Sequence, residues 1–330
     1  EARGAMVAAM DVVGNPSSVH AEGRAAKAIV ERARGQVAAL CGCKAGEVVF
    51  TSGATEAARV LDGLPDGHDV FVEETAHDAV WAHLDMSASV DRPHGPGHTL
   101  AMGLANSETG VVTEPPEKTE GQYPFGALRA DWLFLDVTQA VGRLPWSFHW
   151  SGADFACLSG HKLGGPKGVG ALLVRDGFDF EPLQDGGGQE LGRRSGTENV
   201  IGIAGFGAAC DAAGRDLEAG VWTEVEKIRN ILESVLASEA KETIFVGKDA
   251  PRLPNTSCFA TPGWKGETQV MQMDLAGFAV SAGSACSSGK VKVPRVLKAM
   301  GLDDRAAEGA LRVSLGPTTK EDEVLRFAQA

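Results

Sequence analysis

Three nearly uninterrupted apolar segments do most to limit the folds open to this chain. They are WLFLD at 132–136, DFACLS at 154–159 and GVGALLVR at 168–175. Strands covered on both faces have this pattern, whereas strands with one face in water alternate apolar and polar residues. Shorter strand patterns lie at 48–50, 69–73 and 98–105, and a helical pattern spans 17–42. The sequence therefore predicts an α/β fold, with a mostly parallel sheet flanked by helices.

A different pattern begins near residue 200. Residues 200–240 predict one or two long helices, followed by short strand patterns at 243–247 and 256–260. A helix at about 294–300 and a strand at 311–316 complete a smaller α+β C-terminal domain. We expect a large domain over 12–220 and a small domain formed by 1–11 and 221–330, since a chain of this length usually divides.

Charge and cysteine content exclude several classes of protein. A net charge of −13 argues against nucleic acid or an anionic membrane as partner. No apolar run approaches the ~20 residues that cross a bilayer, and no basic-then-apolar leader opens the sequence, so we expect a soluble cytoplasmic protein. Cys41 and Cys43 are the only close cysteine pair. No second pair completes a zinc site, and we expect no metal and no disulfide framework.

Polar residues follow two of the predicted strands at points where α/β sheets bind ligands. TSGATE at 51–56 has small residues and the hydroxyl of Thr55 at a strand-to-helix junction, which suits an anion or an ordinary turn. Asp136 ends the strand in FLDVTQAVG, with Gln139 three residues on. This carboxylate is either a helix cap or the partner of a protonated ring nitrogen, as pyridoxal phosphate requires.

A third stretch, LSGHKLGGPKG at 158–168, holds the residue that unites these features. Ser159 and His161 offer donors, and Lys162 lies between them and two glycines. A free ammonium is costly to bury, whereas a Schiff base with an aldehyde cofactor gives a lysine here a function. Together the three stretches fit pyridoxal phosphate on a fold-type-I scaffold. A dinucleotide site at 186–192 is discounted, because no G-x-G-x-x-G follows a first strand.

One cysteine stands apart from the others. Cys286 lies in SAGSACSSGK, among small residues that offer little to pack against. Alone it is either a small residue in a turn or a mobile nucleophile that needs a chemical partner elsewhere in the chain.

With these residues in view, the sequence resembles the cysteine desulfurase family, within the class V aminotransferase-like group of pyridoxal-phosphate enzymes. The resemblance covers nearly the whole chain. The blocks that carry it are GNPSSVH (14–20), TSGATE (51–56), ETAHDAV (74–80), NSETGVV (106–112), DVTQAVGRLP (136–145), SGHKLGGPKGVGAL (159–172), GGGQELGRRSGT (186–197), GSACSSG (283–289) and LRVSLGPTT (311–319). It implies a fold-type-I transferase.

The resemblance also implies a role for each matching residue. Lys162 would form the Schiff base and move the substrate Cα proton, His77 would stack on the cofactor ring, and Cys286 would be the nucleophile. Asp136 would pair with the ring nitrogen and Gln139 with the ring hydroxyl. The implied phosphate-binding residues are Ala54, Thr55, Ser159 and His161, with Thr197 reaching in from a second subunit. Arg312 would clamp the substrate carboxylate, and Asn106 would also contact substrate.

Several positions depart from the family pattern. Ser107 stands where the second Asn of an Asn-Asn-Glu block is usual, and we assign it to the cofactor site. Val137 replaces an Ala, the stretch 62–105 is shorter than usual, and the sequence starts at EARGAMVAAM without an Ala-Thr-Thr-Pro-like stretch.

The implied reaction converts L-cysteine to L-alanine and leaves a persulfide on Cys286. The implied partners are the substrate, a sulfur-acceptor protein in a pathway such as iron–sulfur cluster biogenesis, and a second copy of the chain. The alternatives are a selenocysteine lyase, a cysteine sulfinate desulfinase, an aminotransferase, or a non-catalytic homologue that binds a partner.

Overall fold

The structure, a computed structural model, describes residues 1–64, 68–84, 97–283 and 295–330. Contacts between Cα atoms divide the chain into two compact units. The first contains Glu1–Leu104 and Glu114–Leu217, and the second contains Ala105–Thr113 and Glu218–Ala330.

The first unit is built on a six-stranded sheet. Its strands and the adjoining hairpin are β1 (Val48–Thr51), β2 (His68–Val72), β3 (Gly97–Gly103), β4 (Tyr123–Phe125), β5 (Leu128–Ala130), β6 (Trp132–Asp136), β7 (Phe155–Ser159) and β8 (Gly170–Val174). The sheet order is β1-β8-β7-β6-β3-β2, and β4 pairs only with β5. Strand β8 is antiparallel to both neighbours, while the other strand pairs of the six-stranded sheet are parallel. The predicted α/β class with a mostly parallel sheet is confirmed.

Helices in the first unit are α1 (Ala2–Met10), α2 (Ala21–Cys41), α3 (Ala54–Ala57), α4 (Asp78–Trp81) and α5 (Val200–Glu218). Helix α2 ends at Gly42, whose φ of 60° is left-handed and whose amide donates to the carbonyls of Ala38 and Ala39. Glycine meets this requirement without strain. The sheet core is fully buried at Phe134 and Phe155, as their apolar strands require.

Two short segments belong to units other than those we expected. Residues 1–11, predicted to join the small domain, lie in the first unit, where Glu1 pairs with Arg215. A Cβ at Gly205 would lie 2.6 Å from Met6 Cγ, so α1 packs closely on α5. Residues 105–113, predicted to join the large domain, lie in the second unit, where the Leu253 amide donates to the Gly110 carbonyl at 2.7 Å.

The second unit is an antiparallel sheet with helices. Its elements are α6 (Val221–Glu239), β9 (Ile244–Phe245), β10 (Thr256–Ala260), α7 (Gly266–Leu275), β11 (Ser281–Ala282), α8 (Arg295–Ala299), α9 (Asp304–Glu308), β12 (Ala310–Ser314) and α10 (Glu321–Gln329). The sheet order is β11-β12-β10-β9. Leu232, Phe259, Leu311 and Phe327 are buried together in its core.

A buried ion pair joins three parts of the first unit. Arg34 on α2 donates to both carboxylate oxygens of Glu190, at 2.7 and 2.8 Å. Glu190 also accepts from the Phe50 amide on β1 at 2.8 Å. Burial opposes the charge of Arg34, but the hydrogen bonds and charge of Glu190 outweigh it and raise the pKa of Arg34. Arg34 therefore stays charged, and its bonds to Glu190 fix the turn at residues 190–192 against the sheet.

We expect Glu190→Ala to lower the free energy of unfolding by ~3–5 kcal/mol, because it leaves a buried guanidinium without its carboxylate. Urea denaturation measures the change. The matched control is Glu224→Ala, which removes an exposed pair with Lys227 and should change stability by less than about 1 kcal/mol. Equal effects of the two substitutions would contradict a structural role for the buried pair.

Candidate active site

The carboxyl ends of the parallel strands bring most of the predicted site residues to one edge of the first unit. Strands β1, β2, β3, β6 and β7 run in the same direction, so their carboxyl ends share that edge. Open α/β sheets bind ligands there. Of the predicted site residues, those in the first unit are Ala54, Thr55, His77, Asp136, Gln139, Ser159, His161, Lys162 and Thr197.

A glycine lets the loop after β1 cross to β7. Gly170 begins β8 and pairs with Thr51 on one side and Ser159 on the other. A Cβ at Gly170 would lie 2.7 Å from the Cα of Gly53, so only glycine leaves room for the loop. The Ala54 amide then donates to Ser159 Oγ at 2.8 Å. This contact joins two of the three stretches predicted to form the site.

The helix that begins within TSGATE is short. Helix α3 covers only Ala54–Ala57, and a 3-10 turn at Ala58–Gly63 continues it. Thr55 is exposed and Ala54 is buried. An anion bound here would depend on hydroxyl and amide donors more than on the helix dipole. In a helix of one turn, only a few peptide dipoles add together.

Asp136 is held at the end of β6 by its neighbours. Its Oδ1 accepts from the Thr138 amide at 2.9 Å, and it pairs in register with Cys157 on β7. Burial, reinforced by the charge of Asp136, raises the pKa of the Cys157 thiol. The thiol therefore stays protonated beside the carboxylate. The sequence analysis did not assign Cys157 to the site. The feature that could have identified it is a cysteine in the apolar run of β7, the strand that pairs with the end of β6 at Asp136.

Lys162 lies in a tight turn directly after β7. The amides of Leu163 and Gly165 both donate to the Gly160 carbonyl, at 3.1 and 2.9 Å. Partial burial of the ring, and then the charges of Lys162 and Lys167, lower the pKa of His161. His161 is therefore neutral near pH 7 and can donate one hydrogen bond without adding charge.

His77 caps α4 at the end of the segment that follows β2. Its Nδ1 accepts from the Ala79 amide at 3.1 Å. The neutral ring therefore carries its proton on Nε2. Thr197 is exposed, between the turn at 190–192 and α5.

Of the predicted site residues that the structure describes, three lie in the second unit. Arg312 on β12 donates to the Ser107 carbonyl at 2.6 Å and to Ser281 Oγ at 3.1 Å. Within the described part of the chain, Arg312 Nε is buried and has no hydrogen-bond partner. Asn106 is 8% exposed, and its Oδ1 accepts from the amides of Glu108 and Thr109 at 2.9 Å each. The Asn106 side chain thus organises its own turn, a role the sequence did not predict.

Cys286 lies outside the described residues, because the description stops at Gly283 and resumes at Arg295. Within the described ranges, no group of three His, Cys, Asp or Glu side chains could hold a metal ion. No helix in those ranges is long and apolar enough to cross a membrane.

Comparison with known proteins agrees with this geometry. The model of the aminotransferase class-V family matches residues 5–90 and 99–327. A cysteine desulfurase from Enterobacter agglomerans is 36% identical over 95% of this chain and 84% of its own length. One from Cereibacter sphaeroides is 36% identical over 96% of this chain and 87% of its own length. This chain belongs to the cysteine desulfurase family.

Two solved structures have the same fold as this chain. A NifS-like protein from Rickettsia africae, 27% identical, superimposes with a TM-score of 0.86 over 99% of this chain and 93% of its own. DndA from Streptomyces lividans, 26% identical, gives a TM-score of 0.72 over 95% of each chain. The family resemblance and the fold expected from the sequence are confirmed. Members of this family depend on pyridoxal phosphate.

The described cysteines are buried thiols, except for the partly buried Cys43, and none has the properties of a nucleophile. Burial raises the pKa of Cys43 and of Cys258 to about 12, and raises those of Cys41, Cys157 and Cys210 as well. The thiolate is the reactive form of cysteine, so these residues are unreactive in the folded chain.

We expect iodoacetamide at pH 8 to modify these five cysteines far more slowly in the folded protein than in urea. Peptide mass spectrometry over a time course measures each rate. Rapid modification of Cys157 in the folded chain would contradict its burial between β6 and β8.

Proposed function

We propose that this chain is a pyridoxal-phosphate-dependent cysteine desulfurase that converts L-cysteine to L-alanine and retains the sulfur as a persulfide on Cys286. The observation that carries the proposal is the place of Lys162. It lies at the carboxyl edge of the sheet, three residues after the Ser159 hydroxyl that accepts from Ala54 and one strand away from Asp136. An amine, an anion-binding turn and a carboxylate at one sheet edge are the groups that this cofactor requires.

The residues at this edge fit the cofactor. Ser159 and His161 are hydroxyl and imidazole donors suited to a phosphate, and Gly170 lets the loop at Gly53 approach Ser159. Asp136, fixed by the Thr138 amide, offers a carboxylate for a protonated ring nitrogen. Ala54, Thr55, Gln139 and Ser107 remain predicted cofactor contacts. When bound, pyridoxal phosphate supplies an electron sink for the bonds at the substrate Cα.

Two side chains would handle protons. The Lys162 amine would hold the cofactor and, once released, take the proton from the substrate Cα. His77 Nδ1 accepts from the Ala79 amide, so Nε2 is the nitrogen left for proton transfer, while the face of the ring would stack on the cofactor.

Arg312 would bind the substrate carboxylate. The Ser107 carbonyl and Ser281 Oγ hold two of its nitrogens, which orients the planar guanidinium. Its buried Nε is left for an anion. Asn106 supports this arrangement indirectly, because its Oδ1 shapes the turn that begins with Ser107.

The sulfur step balances without another reagent. The Cys286 thiolate forms an S–S bond to the substrate sulfur as the substrate Cβ–S bond breaks, and Cβ gains a proton to become the methyl group of alanine. The persulfide then passes to a sulfur-acceptor protein. The acidic chain, with a net charge of −13, favours an acceptor with a basic surface.

We expect Cys286→Ser to abolish alanine release and sulfur transfer, while the chain still attaches pyridoxal phosphate covalently. Lys162→Ala should lose that covalent attachment and the activity together. Alanine chromatography, absorbance of the bound cofactor and the mass of the protein after incubation with cysteine measure these results. Full alanine production by Cys286→Ser would overturn the persulfide mechanism.

The Ser159 hydroxyl should matter for cofactor affinity beyond its effect on stability. We expect Ser159→Ala to weaken pyridoxal phosphate binding by roughly tenfold, because it loses a phosphate donor and frees the Ala54 amide. Ser151→Ala is the control, since that hydroxyl likewise bonds backbone groups, the Phe148 carbonyl and the Ala153 amide. Similar cofactor affinity in both variants would contradict a role for Ser159 in phosphate binding.

A homodimer is part of the proposal. Thr197 is exposed in the single chain. A residue that completes the phosphate site of a partner subunit must lie on the surface of its own subunit. Val13, Val19 and Leu191 of the first unit are 89%, 88% and 80% exposed, which suits an interface between copies.

We expect Thr197→Ala and Lys162→Ala, each weakly active or inactive alone, to recover activity when their subunits are exchanged. The mixed dimer would contain one site with both residues intact. Activity after co-refolding, together with sedimentation mass, tests this. A dimer whose mixture gains no activity would show that Thr197 acts within its own subunit.

A further inference from the structure

A buried arginine lies between the two turns that carry the proposed cofactor residues. One guanidinium nitrogen of Arg143 donates to the Gln139 carbonyl at 2.7 Å, and the other donates to the Lys162 carbonyl. Burial lowers the pKa of Arg143 to about 10, so it remains protonated at neutral pH. A charged donor strengthens both hydrogen bonds. Nothing in the sequence pattern assigns this residue a function.

Arg143 bonds the Lys162 turn from outside the turn. The two amides that close the turn, from Leu163 and Gly165, donate to the Gly160 carbonyl. Arg143 donates to the Lys162 carbonyl. The guanidinium therefore restrains the peptide group from which the lysine side chain projects.

The turn from Asp136 to Arg143, which carries the arginine, is also held in place. Gly142 has a left-handed φ of 77°, and a Cβ there would lie 2.9 Å from the Cβ of Ala213 on α5. The Arg143 amide donates to the Ala140 carbonyl at 3.0 Å, and the Ala140 amide donates to the Val137 carbonyl at 3.0 Å. The turn that begins at Asp136 is thus packed against α5 and presents Arg143 in one direction.

We propose that Arg143 is a positioning residue that sets the Lys162 amine relative to the Asp136–Gln139 turn, by bonding the backbone of both turns through one guanidinium. The role of the lysine rests on the proposed function. Only arginine supplies two parallel donors in a rigid plane, whereas a lysine ammonium is a point charge on a flexible stem. A positive charge at position 143 is therefore not enough to bond both turns, and the planar guanidinium is needed.

The test compares Arg143→Lys and Arg143→Gln with Arg175→Lys. Arg175 is a fair control, because it also donates to backbone carbonyls, those of Ala153 and Phe148, and stacks on Phe148. The first measurement is the rate at which the apoprotein captures pyridoxal 5′-phosphate on Lys162, followed by absorbance and by borohydride reduction with peptide mapping. The second is kcat and KM for cysteine, and the third is the thermal midpoint of the apoprotein.

We expect both Arg143 variants to slow capture and to lower kcat by about a hundredfold, with KM changed only a few-fold, since displacement of a reacting group by ~1 Å costs about that much. Arg175→Lys should lower the thermal midpoint by a similar amount and leave capture and kcat unchanged. If Arg143→Gln fails to fold, Arg143→Lys decides the question, because it keeps the charge.

Two results would overturn the proposal. One is Arg143→Lys with wild-type capture and kcat, and the other is equal loss of capture in the Arg175 control. Failure of the proposed function is distinguishable: a wild-type chain that captures the cofactor on Lys162 but releases no alanine would overturn the desulfurase activity, and the capture rates would still decide the role of Arg143.

Discussion

The hydrogen bond from the Ala54 amide to Ser159 Oγ is the contact on which the candidate site depends. It joins the loop after β1 to the end of β7 across the antiparallel strand β8. Strands two places apart in a sheet lie ~10 Å from each other, so the loop must cross the start of β8 to make this contact. Gly170 at that point allows the crossing, because any side chain would collide with Gly53.

Buried charges then hold the surrounding elements in place. The Arg34–Glu190 pair links α2, β1 and the turn at 190–192, and Arg143 links the Asp136 turn to the Lys162 turn. Both arginines use planar guanidinium groups to bond two partners at once. A site assembled from loops gains its rigidity from such links, since the loops have few apolar contacts of their own.

The elements that the sequence predicts well are those with a strong local pattern. The apolar run at 132–136 forms β6 with the same bounds, and the long helical pattern after residue 200 forms α5 and α6. Prediction fails where partners are distant in sequence. Residues 1–11 have no pattern that distinguishes the two units. The packing of Met6 against Gly205 and the pairing of Glu1 with Arg215 place α1 in the first. The sequence likewise did not predict that Asn106 Oδ1 accepts from two amides of its own turn.

The sequence by itself determined the chemistry of this protein. A lysine, an aspartate and hydroxyl donors follow strands whose apolar runs mark them as central, and parallel strands place their carboxyl ends at one edge. The tertiary structure decided how those groups are held. The bonds from Arg143 to Lys162 and from Ala54 to Ser159 join residues that are far apart in the chain. Such bonds follow from strand order and register, which a single sequence does not specify, and so they emerge only when the sheet is assembled.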